Sequence, residues 1–188
     1  MEAPSAAVLE AARRGDPDAL SELWRAYQAP LLRYLRVRRI VSPDDVASTV
    51  WIDVARSVAR FEGDGDDFRR WLFTIAHRRS VDEVRRAVRA RATEPPGGTP
   101  AGAADGADVE HERRDALERA IELVSTLPDR LAEAVMLRVV NDLTIPDVAA
   151  VMGTTEGNAR QLVHRGVSRL RLELGVTDDA AATMRRTS

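Results

Sequence analysis

Residues 93–108 read TEPPGGTPAGAADGAD, and no packed element can be built from them. The stretch is Pro, Gly, Ala and Asp with scarcely any large apolar side chain, so it cannot bury enough surface to offset the entropy of ordering. It divides the 188-residue chain into two pieces, each of which must close a core of its own. A linker of about 16 residues averages roughly 20–25 Å end to end and reaches about 50 Å when stretched, so the two pieces could grip sites far apart. This reading gives a first domain over 1–92, a flexible linker over 93–109, a second domain over 110–175 and a disordered tail over 176–188.

Both pieces carry a helical period and neither carries a convincing period of two, so the expected fold is all-α, two small helical domains. Leu20, Leu23, Trp24, Tyr27, Leu31 and Leu35 recur at three- and four-residue steps, with Pro30 expected to kink or divide that helix. A second helix opens at SPDD, where Ser42 can cap, Pro43 suits the first position, and Asp44 and Asp45 favour the positive end of the dipole. Its Val46, Val50, Val54 and Val58 form a stripe at steps of four. FEGDGDDF then breaks the pattern, and a third helix is predicted from about Phe68 to Arg91. In the second piece one helix is predicted over 110–125 and another opened by Pro128. LTIPDVAAVMG then predicts a short helix with Thr144 as cap, Asp147 three residues on, and Gly153 as its stop. The next helix follows after about three residues, which is a helix-turn-helix arrangement. Ala149 and Gly153 are expected to be small because the two helices cross closely there.

Several function classes are excluded. There is no cysteine, hence no disulfide, thiolate metal site or cysteine nucleophile. His77, His111 and His164 are scattered, as surface or interface residues would be, and no metal site, cofactor site or catalytic constellation is predicted. No run of about 18 apolar residues exists to span a membrane, and the N-terminus lacks a signal-peptide pattern, so a cytoplasmic protein is expected. All 28 basic residues are arginine, as a GC-rich genome would encode, so arginine content alone says little. Its placement says more. Residues 41–67 hold seven acids against Arg56 and Arg60, whereas residues 69–91 hold eight arginines against Asp82 and Glu83. Such segregation predicts separate surfaces for separate partners.

The most pointed surface lies in GNARQLVHRGVSRLR. At about 100° per residue, Ala159, Val163, Gly166, Val167 and Leu170 form an apolar stripe, while Arg160, Gln161, His164, Arg165 and Ser168 lie opposite. From Asn158 to Arg171 there are four arginines and no acid, a face suited to an anionic partner.

In its order of parts the chain resembles the extracytoplasmic-function (group IV) sigma factors of bacterial RNA polymerase, over roughly residues 10–175. ARRGDPDALSELWRAYQAPLLRYLR and the segment from DDVASTVW to DEVRR are similar to sigma region 2. LPDRLAEAVMLRVVNDLTIPDVAAVMGTTEGNARQLVHRGVSRLR is similar to region 4. The resemblance implies that Thr155, Asn158, Arg160, Gln161, His164 and Arg165 meet the −35 promoter element, with Gly157 letting backbone approach phosphate. It implies that Phe61, the loop from Gly63 to Asp67, and Arg78, Arg79, Arg85 and Arg86 hold the melted −10 strand. Trp71 and Phe73 stand beside these, with core packing the expected role of at least one.

It further implies that Asp44, Asp45, Ser48 and Trp51 bind core RNA polymerase at the clamp helices of its largest subunit, with the flap of the second-largest subunit as a further contact. Ser48-Thr49 stands where the family often has Gln-acid, and Arg78 where it usually presents Asn to a flipped base. The implied partners are core polymerase, promoter DNA and an anti-sigma factor contacting Asp45, Trp51, Val135 and Val139. From the linker, the free protein is expected to sample a range of interdomain distances. The alternatives are an autonomous helix-turn-helix regulator, and an interaction protein that binds polymerase without reading a promoter.

Overall fold

The computed structural model describes residues 3–91 and 109–174, with side chains described for 3–89 and 117–174. Every regular element among them is helical. The first region comprises α1 (Ala6–Arg13), α2 (Pro17–Val37), α3 (Pro43–Ser57), a 3₁₀ turn (Val58–Arg60) and α4 (Gly65–Arg91). The second comprises α5 (Val109–Ser125), α6 (Asp129–Val135), a π-helical turn (Met136–Val140), α7 (Ile145–Met152) and α8 (Glu156–Glu173). The all-α expectation holds, with two helical regions. The expected linker and tail lie outside the described residues, save Val109, where α5 begins.

The first region is built on the stripes read from the sequence, with instructive departures. Val46, Val50, Val54 and Val58 are all buried, and α3 packs through them between α2 and α4. Helix α2 runs undivided through Pro30. Burial of Leu23, Tyr27, Leu31, Tyr34 and Leu35 along one face outweighs the roughly 3 kcal/mol that an interior proline costs. Trp24, expected in that stripe, sits at its edge and is 47% exposed. Ser42 makes no side-chain cap, and α3 starts on Pro43 and the acidic first turn alone. Helix α4 starts earlier than predicted because Asp64 caps it. Its Oδ1 accepts the N–H groups of Asp66 (2.9 Å) and Asp67 (3.0 Å), while Asp67 Oδ2 accepts the N–H of Asp64 (3.1 Å).

In the second region α7 carries the capping box predicted from Thr144 and Asp147, and ends on Gly153 at φ 59°. Gly153 serves its backbone conformation rather than a close crossing, since a Cβ there would meet nothing within 4 Å. The close approach is at Gly166, where a Cβ on α8 would run into Val135 Cγ2 on α6.

The two regions touch. Helix α2 packs on α5 and α6, α4 packs on α7, and the buried residues of both regions form one contiguous cluster. In this docked arrangement polar and apolar side chains of the two regions are matched across the contact.

Candidate nucleic-acid interface

Helix α8 has the two faces read from its sequence. Ala159 and Gly166 are buried, and Val163, Val167 and Leu170 pack against the core. Arg160, Gln161, His164 and Arg165 are exposed. These four side chains and Gly157 line one shallow concavity of about 420 Å³. A Cβ at Gly157 would meet nothing within 4 Å, so the first turn is open to close approach by a ligand. Thr155 and Asn158 do structural work at the helix start. Thr155 Oγ1 accepts the N–H of Asn158 at 3.3 Å, and Asn158 Nδ2 donates to Thr154 Oγ1 at 2.7 Å. The first backbone N–H groups of α8, with their partial positive charge, stand beside these four polar side chains, with exposed Glu156 the one acid of the first turn, and the arginines, Gln161 and His164 suit phosphate and base edges.

The second set of candidate residues divides. Arg78 and Arg85 are exposed, and neither makes an ion pair among the described residues. Arg79 is a brace, its Nε donating to Asp53 Oδ2 on α3 at 2.6 Å, and Arg86 pairs with Glu83 at 2.7 Å. Phe61 is only 8% exposed and stacks on Trp71, with ring centroids 5.0 Å apart. Phe73 is fully buried, as expected of one of the two aromatics beside the loop. From α1, Arg13 donates to the Gly63 carbonyl at 2.6 Å and sits 5.4 Å from the Phe61 ring centroid. With Ala59, Arg60 and Glu62, these residues line a concavity of about 390 Å³. The participation of α1 was not read from the sequence, since nothing local announces that Arg13 will reach a loop 50 residues on.

In the loop, Asp64 is held below its ordinary carboxyl value by the N–H groups of Asp67 and Asp66. Asp66 and Asp67 pair with Arg69 (2.8 Å) and Arg70 (2.7 Å). The acids of this loop thus cap and brace α4.

A third, acidic face lies on α3. Asp44, Asp45 and Ser48 are exposed, and Trp51 is half-buried, its Nε1 donating to Gln28 Oε1 at 2.7 Å. Exposed Ile52 follows on α3, and exposed Trp24 lies one turn before Gln28 on α2. The sequence signal for Trp24 existed only as its position at the margin of the packing stripe. No cluster of His, Cys, Asp or Glu among the described residues could hold a metal ion. No described helix is long and apolar enough to cross a membrane.

A helical region with an acidic face and an arginine-rich helix is followed by a helix-turn-helix region whose outer face carries Arg160, Gln161, His164 and Arg165, the arrangement of a DNA-binding protein with a second partner. Residues 23–90 match sigma-70 region 2, and residues 117–170 match sigma-70 region 4. The ECF RNA polymerase sigma factor SigD of Mycobacterium tuberculosis is 32% identical over 182 residues, spanning 93% of this chain and 86% of SigD. The RNA polymerase sigma factor CarQ of Myxococcus xanthus is 33% identical over 171 residues, spanning 89% of this chain and 95% of CarQ. The chain belongs to the ECF RNA polymerase sigma factors of the sigma-70 family. Solved structures share the fold at low identity. CnrH in complex with the cytosolic domain of CnrY superposes with a TM-score of 0.61 at 19% identity, covering 91% of this chain and 97% of that one. The sigma factor RpoE of Bartonella quintana, in complex with the anti-sigma factor NepR, gives 0.55 at 20% identity, covering 81% and 98%.

Proposed function

We propose that this chain is a dissociable promoter-specificity subunit that recruits core RNA polymerase, reads two promoter elements and nucleates opening of the duplex, without catalysing a reaction itself. The observation that carries this reading is the separation of surfaces: a polar face on α8 without an acid from Asn158 to Arg171, exposed arginines on α4, and an acidic face on α3. A lone duplex binder has no use for the third. The domain assignment is region 2 over 1–92 and region 4 over 110–175, acting in the cytoplasm.

In region 4, Arg160 and Gln161 read base edges in the −35 major groove, Arg through guanine O6 and N7 and Gln through adenine N6 and N7. His164 and Arg165 flank them. Thr155 and Asn158 act through the helix start, ordering the N–H groups that meet phosphate. In region 2, Arg78 and Arg85 neutralise phosphates of the melted −10 strand, with Arg86 beside them. Arg79 braces α4 against α3 and so positions that row. Phe61 lines the concavity it shares with Arg13, where an unstacked base can be held. Asp44, Asp45, Ser48 and Trp51, extended by Trp24 and Ile52, form the polymerase-binding face, with Gln28 fixing the Trp51 indole. RpoE was solved with an anti-sigma factor, and a protein of that class is the regulator proposed here, covering the α3 face around Asp45 and Trp51.

Run-off transcription with core polymerase tests the reading. The chain is expected to direct initiation at a two-element promoter while binding the same duplex poorly alone. Equal initiation with and without it would overturn the reading, and tight duplex binding without polymerase would favour an autonomous regulator.

A further inference from the structure

The contact between the two regions is centred on a buried carboxylate. Glu133, on α6, is 2% exposed, and its partners all come from the first region. Tyr34 Oη donates to Oε1 at 2.6 Å, Arg38 Nη1 donates to Oε2 at 2.8 Å, and His77 Nδ1 lies 2.7 Å from Oε1. Around this centre Arg70 Nη1 reaches Asp147 Oδ1 at 3.2 Å, Arg69 Nη1 donates to the Asp142 carbonyl at 3.2 Å, and Arg39 Nη2 donates to the Ser125 carbonyl at 3.0 Å. Six donors of the first region thus meet acceptors of the second.

A carboxylate taken out of water is costly unless paired, and one stripped of its partners while buried is worse. Every partner of Glu133 is supplied by the other region, so its burial is compensated only while the regions are docked. Once they part, Glu133, Arg38 and His77 can all return to water. The polar centre thus adds specificity to the apolar packing that the two regions also share, and its groups can be solvated when the regions part.

Docking conflicts with holding both promoter elements. Elements centred about 25 base pairs apart are separated by about 85 Å of B-form duplex at roughly 3.4 Å per pair. A compact body the size of the docked regions measures about 40 Å across. The chain between Arg91 and Val109 spans at most about 60 Å, which is enough for the regions to separate toward distant sites.

We infer that the α2–α4 face bearing Tyr34, Arg38 and His77 is a docking surface whose occupant is α6 of the same chain, that Glu133 is its lock, and that the lock opens before both promoter elements are held. The last step rests on the sigma-factor reading above; the docking and the lock do not.

The chain has no cysteine, so Ala26→Cys on α2 and Ala150→Cys on α7, both at exposed positions, give a unique pair of spin-label sites on the full chain. The otherwise native chain is expected to show one short distance population. Glu133→Gln keeps an acceptor oxygen but removes the charge, and is expected to shift the docked-to-undocked ratio roughly tenfold to a hundredfold toward long distances. Arg38→Gln acts from the other side of the contact and is expected to do the same, with the double variant changing the ratio by less than the product of the singles. Circular dichroism checks that helix content is kept; if Glu133→Gln loses helix, the partly exposed Arg38 variant decides.

Unchanged distances in a folded Glu133→Gln or Arg38→Gln chain would overturn the lock, and a broad, long distribution in the native chain would overturn docking itself. Adding core polymerase and a two-element promoter separates the two readings. Initiation by none of the variants would count against the sigma reading, whereas the label distances alone judge docking. Where both stand, Glu133→Gln initiates at lower protein concentration than native, and an unaltered concentration dependence would overturn the opening step.

Discussion

Gly166→Ala decides between two opposed effects at one position. In the interior of an exposed helix this substitution stabilises by about 1 kcal/mol, because glycine loses more backbone freedom on folding than alanine. Gly166 lies in the middle of α8, buried where that helix crosses α6. An added Cβ would sit closer than 3.0 Å to Val135 Cγ2, a separation real Cβ atoms do not make, and 3.3 Å from the Leu131 carbonyl oxygen. To restore roughly 3.5–4.0 Å between carbons, α8 or the Val135 side chain must shift by about 1 Å. Valine is stiff about χ1, and Val135 is itself buried, so the helix must give.

Overpacking of this kind costs about 2–3 kcal/mol, which leaves a net loss of about 1–2 kcal/mol after the helix gain. For a chain of this size the melting temperature should fall by about 2–8 °C. Thermal unfolding followed by circular dichroism measures it. Val135→Ala in the same chain should relieve the clash, with a coupling above about 0.5 kcal/mol between the two sites. A Gly166→Ala chain that melts higher than native would refute the close crossing of α6 and α8 and the packing argument with it.

Further expectations follow from the same geometry. Arg160→Ala and Gln161→Ala should each alter base preference in the −35 element at a cost of about 1–3 kcal/mol, read by binding or initiation across a set of promoter variants. Arg85→Ala should instead weaken promoter engagement evenly across sequences and reduce its salt slope by about one unit, since phosphate carries no sequence information; a changed base preference would reverse that assignment. Gly153→Ala should cost about 1–2 kcal/mol from left-handed strain alone, and a neutral substitution would count against the φ of 59°.

Burial would raise the Glu133 carboxyl, but the hydrogen bonds and charges of His77, Arg38 and Tyr34 outweigh it and hold the group below its ordinary value. Its contribution is therefore complete above the ordinary carboxyl range and is lost as pH falls through the lowered folded value. Acid titration of the label distances should show docking retained through the ordinary carboxyl range and lost as pH falls below it. The Tyr34 phenol, pushed well above its usual value by burial and by the Glu133 charge, remains a donor throughout. A Glu133→Gln chain with the same acid midpoint as native would contradict this.

Much of the molecule was legible from one strand of letters. The valine stripe of α3, the capping box of Thr144 and Asp147, and the polar face of α8 are local patterns. Each depends on neighbours within one or two helical turns, so periodicity and turn chemistry specify them without knowledge of the fold. The candidate base-reading residues of α8 were readable for the same reason: an amphipathic helix announces both its buried and its free face. Where local rules failed, distant packing had overruled them. Pro30 lies within an unbroken helix because the face around it is buried, and the close crossing expected at Gly153 falls instead at Gly166, against α6 and outside the helix-turn-helix pair, while Gly153 keeps its expected role as the stop of α7.

The partners of charged side chains were decided by tertiary structure alone. Arg79 reads as a phosphate contact in sequence and becomes a brace once α3 brings Asp53 to it, and Arg13 joins the loop of Phe61 only because α1 folds across it. Glu133 is the clearest case. In sequence it is one acid among 30 acidic residues on a helix that reads as amphipathic. Its burial depends on Tyr34, Arg38 and His77, which lie 99, 95 and 56 residues away and on two different helices. Helical faces are set by the chain's own repeat, whereas a buried charge is set by whatever the other region carries to meet it, and no periodicity encodes that meeting.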